Sequence, residues 1–564
     1  MNMKETCKTI DHAWLTRPTG DPFADTGGIV IKYLWTLPHL KDKDILELID
    51  YVANIYVNKW NGKLHAFFLN STITQPAFKG QRKIDETLKY YKGLIDETVS
   101  AQEGYCRISG RKAKLFPAGR DNHILSGSGR FVNFHHHFES GLLLSKEMMI
   151  RMFFVPLGVM QIGKNLGLIQ SNRLDIQEFF VKEILLGIDG HLSATIKGVL
   201  RCSYSNPGIA IFSFADYCIA NMKVLTFNDS TEEVESEGVI LNLYYFSNYG
   251  TDPNIQFFTM PATLFKFYSA CVKNPNYNRD WNLFIKHNYV KYKSYKANYN
   301  QDNESYVERA TEIIQMSITV YESMRQNNDL NFNIAKVGEH DGFAQFNKSD
   351  YDNWKQKSKA YSEWKKEPII KNCLKKEPIK TIKGDFLINY SIEDCSKKWI
   401  NIVYDKLLNQ KSILENICNY LRKNHKTNSF SFNIVKLYTL NILKMKNSTL
   451  KLIEKLADEV LKDESNLKKN INQSISSSRL EILRSFLIKL IRKNHSNMAE
   501  EPILSLEEYA KDLFYEGSNW KEIRDLLLIC LFQKMHERKI FFDNDDNDEL
   551  AEINTDLELD EIND

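Results

Sequence analysis

No two cysteines of this 564-residue chain form a Cys-x-x-Cys pair. The nine stand far apart, at 7, 106, 202, 218, 271, 373, 395, 418 and 530. That scatter excludes a disulfide framework and points to a reducing, cytoplasmic setting. The first residues, MNMKETCKTIDHAW, contain no apolar run of the kind a signal peptide needs. The most membrane-like stretch, MMIRMFFVPLGVMQIG (148–163), holds Arg151 and Pro156 and is too short to span, so no membrane is expected. His-Glu-x-x-His, a His-Asn-His arrangement with flanking cysteines and a Walker-type phosphate loop are all missing. No catalytic residue and no cofactor are therefore expected.

Charge of one sign is also lacking, for the net is only +2. The balance conceals an asymmetry. Residues 543–564, DNDDNDELAEINTDLELDEIND, hold eleven acids and no base, which leaves +13 on the rest. A basic body with an acidic, solvated tail suits a polyanion binder. Hydrophobic residues make up 43% and aromatics 12%, enough for large cores, and 564 residues call for two to four domains.

The fold expected is α+β: an N-terminal mixed α/β lobe with a degenerate zinc-knuckle-like insertion, followed by a C-terminal helical bundle. The lobe is assigned to residues 1–300, with a basic loop region at 101–175. A helical and Lys-rich connecting region covers 301–390, the bundle 391–542, and the acidic tail, expected to be disordered, 543–564. In the lobe, GIVIKYLW (28–35), LHAFFL (64–69), GIAIFSFADY (208–217), KVLTFN (223–228) and VILNLYYFSN (239–248) are rich in β-branched and aromatic residues and read as strands. DILELIDYVANIYV (44–57) has helical spacing. TGDPFADTGG (19–28) reads as a turn. Residues 354–383 contain ten Lys and a local duplication, WKKEPII and LKKEPIK, whose prolines favour a linker. In the rear, Leu480, Leu483, Leu487 and Leu490 share one helical face. So do Leu450, Ile453, Ala457 and Val460, and so do Trp520, Ile523, Leu527 and Leu531 on a last helix near 518–538. Ser505 and Glu508 have the form of a capping box.

The stretch YCRISGRKAKLFPAGRD (105–121) is half of a zinc knuckle with a ligand missing. Cys106 is followed by Ser109 and Gly110 where Cys-Gly would close the turn, and the matching half is Ser145-x-x-Met148. One thiol, two hydroxyls and a thioether cannot replace the three or four good donors zinc requires, so no metal is assigned. His123, His135, His136 and His137 lie between the half-sites, and a residual site with Cys106 or a metal-dependent nuclease built on this cluster is the enzymatic alternative. His135 and His137 point opposite ways in an extended strand, which limits convergence.

Six Arg or Lys against one Asp give residues 105–134 a local net of +5. The candidate DNA-binding residues are Asn70, Ser71, Thr74, Gln75, Lys79, Arg82 and Lys83 in a first loop. A second loop supplies Arg107, Arg111, Lys112, Lys114, Arg120, Asn122, Arg130 and Asn133. Cations suit phosphates, and Asn and Gln suit base edges.

The blocks LNSTITQPAFKG (69–80), YCRISG (105–110), AGRD (118–121), FVNFHHHFESGLLLS (131–145) and VPLGVMQIGKNLGLIQSN (155–172) occur in an order that resembles the CXXC–CXXC family. These are the Cas-eight type large subunits of type I CRISPR Cascade complexes, here closest to subtype I-B. The resemblance runs over roughly residues 18–175. It departs from the family at three of the four metal-ligand positions. It implies a subunit without chemistry of its own that recognises the PAM duplex, helps DNA unwinding and R-loop stabilisation, and acts in antiviral defence. The implied partners are crRNA, the Cas-five and Cas-seven backbone subunits, target double-stranded DNA and the Cas-three helicase-nuclease. It also implies a small subunit made from an internal start, for which Met445 would give 120 residues. The remaining alternative is a purely architectural scaffold without DNA contact.

Overall fold

The structure is a computed structural model. It describes residues 10–99, 101–125, 141–192, 206–222, 238–247, 253–291, 399–423, 429–496, 502–515 and 519–540, together with short strands between 225 and 390. The fold is α+β, combining helices with antiparallel sheets. It divides into two compact units, one built mainly from residues 1–214, 239–260 and 323–397, the other from 215–238, 261–322 and 398–564.

After a short helix at His12–Thr16, the first unit has three longer helices, α1 (Pro22–Leu34), α2 (Ile45–Asn54) and α3 (Gln81–Ile95). Strands β1 (Gln102–Tyr105), β2 (Lys112–Ala118) and β3 (Leu142–Ser145) pair antiparallel in that order and lead directly into α4 (Lys146–Phe154). A second antiparallel sheet has the order β4 (Met160–Ile162), β5 (Asn165–Ser171), β6 (Leu241–Ser247), β7 (Asn254–Met260), and α5 (Leu174–Leu192) follows β5.

Three of the strands expected in the lobe are not strands. GIVIKYLW belongs to α1, because Asp21 accepts the Ala24 N–H at 2.7 Å and Pro22 occupies the first helical position, a strong start signal. GIAIFSFADY lies in a helix, Pro207–Asn221, started by Asn206 accepting from Ile209 and again by a proline. LHAFFL forms turns, with Phe67 and Phe68 both donating to the Leu64 carbonyl. In the two helices the β-branched residues are buried rather than extended. Strands at 225–228 and 241–247 agree with expectation, as does α2, which carries an Asp44–Glu47 capping box. Within 301–390 the described residues are strands, paired in the order Asn333–Lys336, Gly342–Phe346, Phe386–Tyr390, Ile379–Lys380.

α4 explains the membrane-like run. All nine of its residues are buried, and Arg151 is 0% exposed. Its guanidinium donates to Asp25 at 2.8 Å and to the carbonyls of Ala24 (2.6 Å), Arg17 (2.8 Å) and Trp14 (3.3 Å). Asp25 in turn accepts from the Thr19 and Gly20 N–H groups at 2.8 and 2.9 Å. TGDPFADTGG is therefore a helix start wrapped around a buried ion pair. Gly27 and Gly28 make the approach possible, since a Cβ at Gly27 would lie 2.0 Å from the Arg151 carbonyl oxygen.

The second unit is largely helical: α6 (Ala262–Lys273), α7 (Pro275–His287), α8 (Leu414–Lys423), α9 (Phe432–Asn441), α10 (Asn447–Leu461), α11 (Leu480–Ser496) and α12 (Trp520–Glu537). Its aromatic centre is Trp281, edge-on to Phe267 at 5.5 Å and beside Phe284, which in turn meets Tyr420 and Phe430. The periodic faces agree with expectation. Leu450, Ile453, Ala457 and Val460 are buried, as are Leu483, Leu487 and Leu490, and the Ser505–Glu508 capping box is present. Among the described residues no helix is long and apolar enough to cross a membrane. The Lys-rich repeats at 364–380, apart from Ile379 and Lys380, and the acidic tail lie outside the described residues.

Candidate nucleic-acid interface

The two halves of the broken knuckle meet. Between β1 and β2 the chain turns through Cys106–Gly110. Cys106 N–H donates to the Arg111 carbonyl at 2.9 Å, and Gly110 N–H returns to the Cys106 carbonyl at 2.8 Å. Gly110 has φ +68°, the left-handed conformation that a tight knuckle needs. From the other half, Ser145 N–H donates to the Cys106 sulfur at 3.3 Å. Cys106, Ser145 and Met148 are all buried. Burial pushes the Cys106 thiol up. The nearby Ser109 hydroxyl and the N–H groups of Ser109, Ser145 and Ile108 more than offset this and hold it below the ordinary cysteine range.

Zinc does not fit these donors. Ser109 and Ser145 present neutral hydroxyls, their oxygens enclosed, and Met148 presents a thioether. The place of the metal is taken by packing: Leu144, Met148 and Phe116 are each exposed by 1% or less. Among the described residues no three His, Cys, Asp or Glu converge on a possible metal position. His135, His136 and His137 lie outside the described residues, and His123 is enclosed and held neutral, its pKa pushed down to about 4 by burial.

The fifteen candidate contact residues divide into those turned inward and those turned outward. Arg111 pairs with Asp11 at 3.2 Å and with the buried Glu147, and its guanidinium lies over the Trp14 ring. Lys114 pairs with Glu97, which Lys146 also holds at 2.9 Å. Lys83 donates to the Ile73 carbonyl, and burial pushes its pKa down. Thr74 is buried and donates to the Phe68 carbonyl at 3.0 Å. Ser71 bonds Thr74, and Gln75 donates to the Asn70 carbonyl at 2.8 Å. Asn122 is buried, accepting from Gly119 N–H at 2.8 Å and donating to the Tyr90 hydroxyl at 2.7 Å. These contacts hold the loops in shape: Asn122 and Thr74 are buried and Arg111 is mostly enclosed by its partners, whereas Lys114 stays exposed beside Glu97. Arg120 is half-buried, and Arg130 and Asn133 lie outside the described residues.

The candidates that are exposed are Asn70, Lys79, Arg82, Arg107, Lys112 and Lys114. Arg82 rests on the Phe78 ring at 5.2 Å. Lys112 stands opposite Tyr105 on β1, a tyrosine 71% exposed. Both loops are anchored to α3. The first loop runs into its N-terminus. The second is tied near its C-terminus by Asn122–Tyr90 and Lys114–Glu97. A 15-residue helix sets these anchors about 20 Å apart. That is roughly six base-pair rises of B-DNA. Sequence reasoning missed the fixed partners, Asp11, Trp14, Glu97 and Glu147, because each lies tens of residues away or in a different element. No family model, curated protein or solved structure matches this chain.

Proposed function

We propose that the protein is a nucleic-acid-binding assembly subunit, the large subunit of a type I Cascade complex, reading a short PAM duplex through the outward cations of its first unit. It helps open that duplex, stabilises the R-loop and recruits a Cas-three helicase-nuclease, while crRNA with Cas-five and Cas-seven subunits forms the body it joins. The supporting observation is the retained knuckle frame. The residues at the four metal-ligand positions sit in the two half-sites that Ser145 N–H joins to Cys106, and Arg107 and Lys112 are exposed beside it. Such a frame presents backbone and cations to a phosphate surface without a metal.

Ion pairing of Arg111 and Lys114 favours a second reading, a scaffold without DNA contact. One titration separates the two. Charge reversal of Lys79, Arg82, Arg107 and Lys112 should weaken duplex binding and reduce the log K against log salt slope by about 0.9 for each phosphate no longer neutralised. An unchanged slope selects the scaffold. Co-expression with neighbouring genes tests the assembly: crRNA and repeated backbone subunits should co-purify, and their absence from the purified chain overturns the Cascade reading.

A further inference from the structure

Helix α11 buries one face and leaves the other largely exposed; among the described residues Arg484 lies over the Phe514 ring and Lys493 pairs with Asp463. Leu483, Phe486, Leu487 and Leu490 point inward. Outward, Ile488 is 48% exposed, with Arg484 one turn before it and Arg492 one turn after. Alongside run Ile482, 36% exposed, Lys489 and Lys493. Four bases against one acid, Glu481, make this surface cationic. Two exposed isoleucines make it more than cationic. A phosphate backbone has no use for aliphatic side chains, whereas an acidic peptide with apolar residues does.

The chain carries such a peptide. Residues 543–564 hold eleven acids, and Leu550, Ile553 and Leu557 stand within them at the i, i+3, i+7 spacing of one helical face. Its starting point is close. Lys534 and Arg538, at the end of α12, both bind Asp458 of α10, at 2.8 and 3.0 Å. Lys493, at the end of α11, binds Asp463 just beyond α10. Five residues of near-helical chain separate those two aspartates, about 8 Å. The last turns of α11 and α12 thus converge on one end of α10. Twenty-four residues follow Ile540. Extended, they reach about 80 Å, against about 25 Å for the whole of α11.

We infer that the acidic C-terminal segment 543–564 docks on the exposed face of α11, its carboxylates on Lys489 and Arg492 and beside Lys493, and its leucines and isoleucines on Ile482 and Ile488. Docked there, it screens the most basic helix of the second unit from other polyanions. The tail is then an intramolecular competitor as well as a solubility device.

Zero-length carbodiimide coupling of the full chain tests the contact. Amide cross-links should join Lys489 or Lys493 to carboxylates of 543–564 in the monomer band and survive dilution. Deleting 543–564 should tighten binding of an oligothymidylate at low salt by about tenfold, and adding Lys489→Glu with Arg492→Glu to the shortened chain should cancel that gain. Both positions are exposed, so neither change touches the core. Cross-links confined to lysines outside α11, links found only between two copies, no gain on deletion, or a gain that outlives the double reversal each overturn the proposal.

Discussion

Cys106 and His123 show how burial and hydrogen bonding push titrating groups in ways that residue type alone does not reveal. Around Cys106 the Ser109 hydroxyl and the amides of Ser109, Ser145 and Ile108 stabilise the charged form. At His123 a backbone hydrogen bond at Ile124 favours the charged form, but burial outweighs it. Enclosure costs the imidazolium its hydration, and the pKa falls to about 4 from an ordinary 6.5. The sign of the consequence follows from proton counting. Between pH 6.5 and about 4 the unfolded chain binds a proton at this position and the folded chain does not, so stability falls as pH falls through that window. The loss from this residue amounts to about 3 kcal/mol once pH reaches 4. His123→Gln should remove that dependence. Urea midpoints of the two proteins at pH 7, 5.5 and 4.5 should converge on acidification, with the variant gaining relative to the parent. A stability difference independent of pH would assign the enclosure of His123 no electrostatic cost.

Helices with one apolar face were legible, and helices whose apolar residues run almost unbroken were not. The amphipathic helices of the second unit announce themselves because one face must differ from the other. α1 and the Pro207–Asn221 helix present no such contrast. α1 is buried at nine of thirteen positions, and its β-branched residues imitate a strand even though Asp21-Pro22 marks a helix start. The knuckle was legible for a different reason, since its half-sites are set by short spacings. What spacing could not supply was the identity of the neighbours that bind Arg111, Lys114 and Asn122, each fixed by tertiary contact. The frame itself makes a prediction. Ser145 already lies against Cys106, and Met148 follows one turn later on α4. Replacing Ser109, Ser145 and Met148 together with cysteine should therefore create a tetrahedral site that binds one zinc, read by the visible ligand-field bands of tetrahedral cobalt(II) and by a rise in thermal midpoint. A structural zinc contributes on the order of 10 kcal/mol to folding in small domains. Failure to bind one equivalent would mean that the half-sites have lost their register.

At the scale of the whole molecule, α12 decides whether the rear helices can live as a separate product. Eight consecutive residues, Asp525–Phe532, are buried. A helix buried over two successive turns is covered all round rather than along a stripe. The cover comes from α8, α9 and α10 together, and Asp525 sits in it beside Arg524 at 2.7 Å. A chain beginning at Met445 would retain α10, α11 and α12 but lose α8 and α9, and Met445 itself is buried at the end of the loop between α9 and α10. One side of α12 would then face water. At about 25 cal/mol per Å², uncovering even three leucine-sized side chains costs about 6 kcal/mol, comparable to the whole stability of a small domain. Residues 445–564 made alone should therefore be aggregated or self-associated in light scattering. They should become monomeric and cooperatively folded only when residues 399–444 are restored. If 445–564 is instead a well-folded monomer by sedimentation and chemical-shift dispersion, α12 repacks, and an internal start at Met445 gives a free-standing subunit. The prediction depends on a single helix having no solvent face, and it holds whatever the complete chain assembles with.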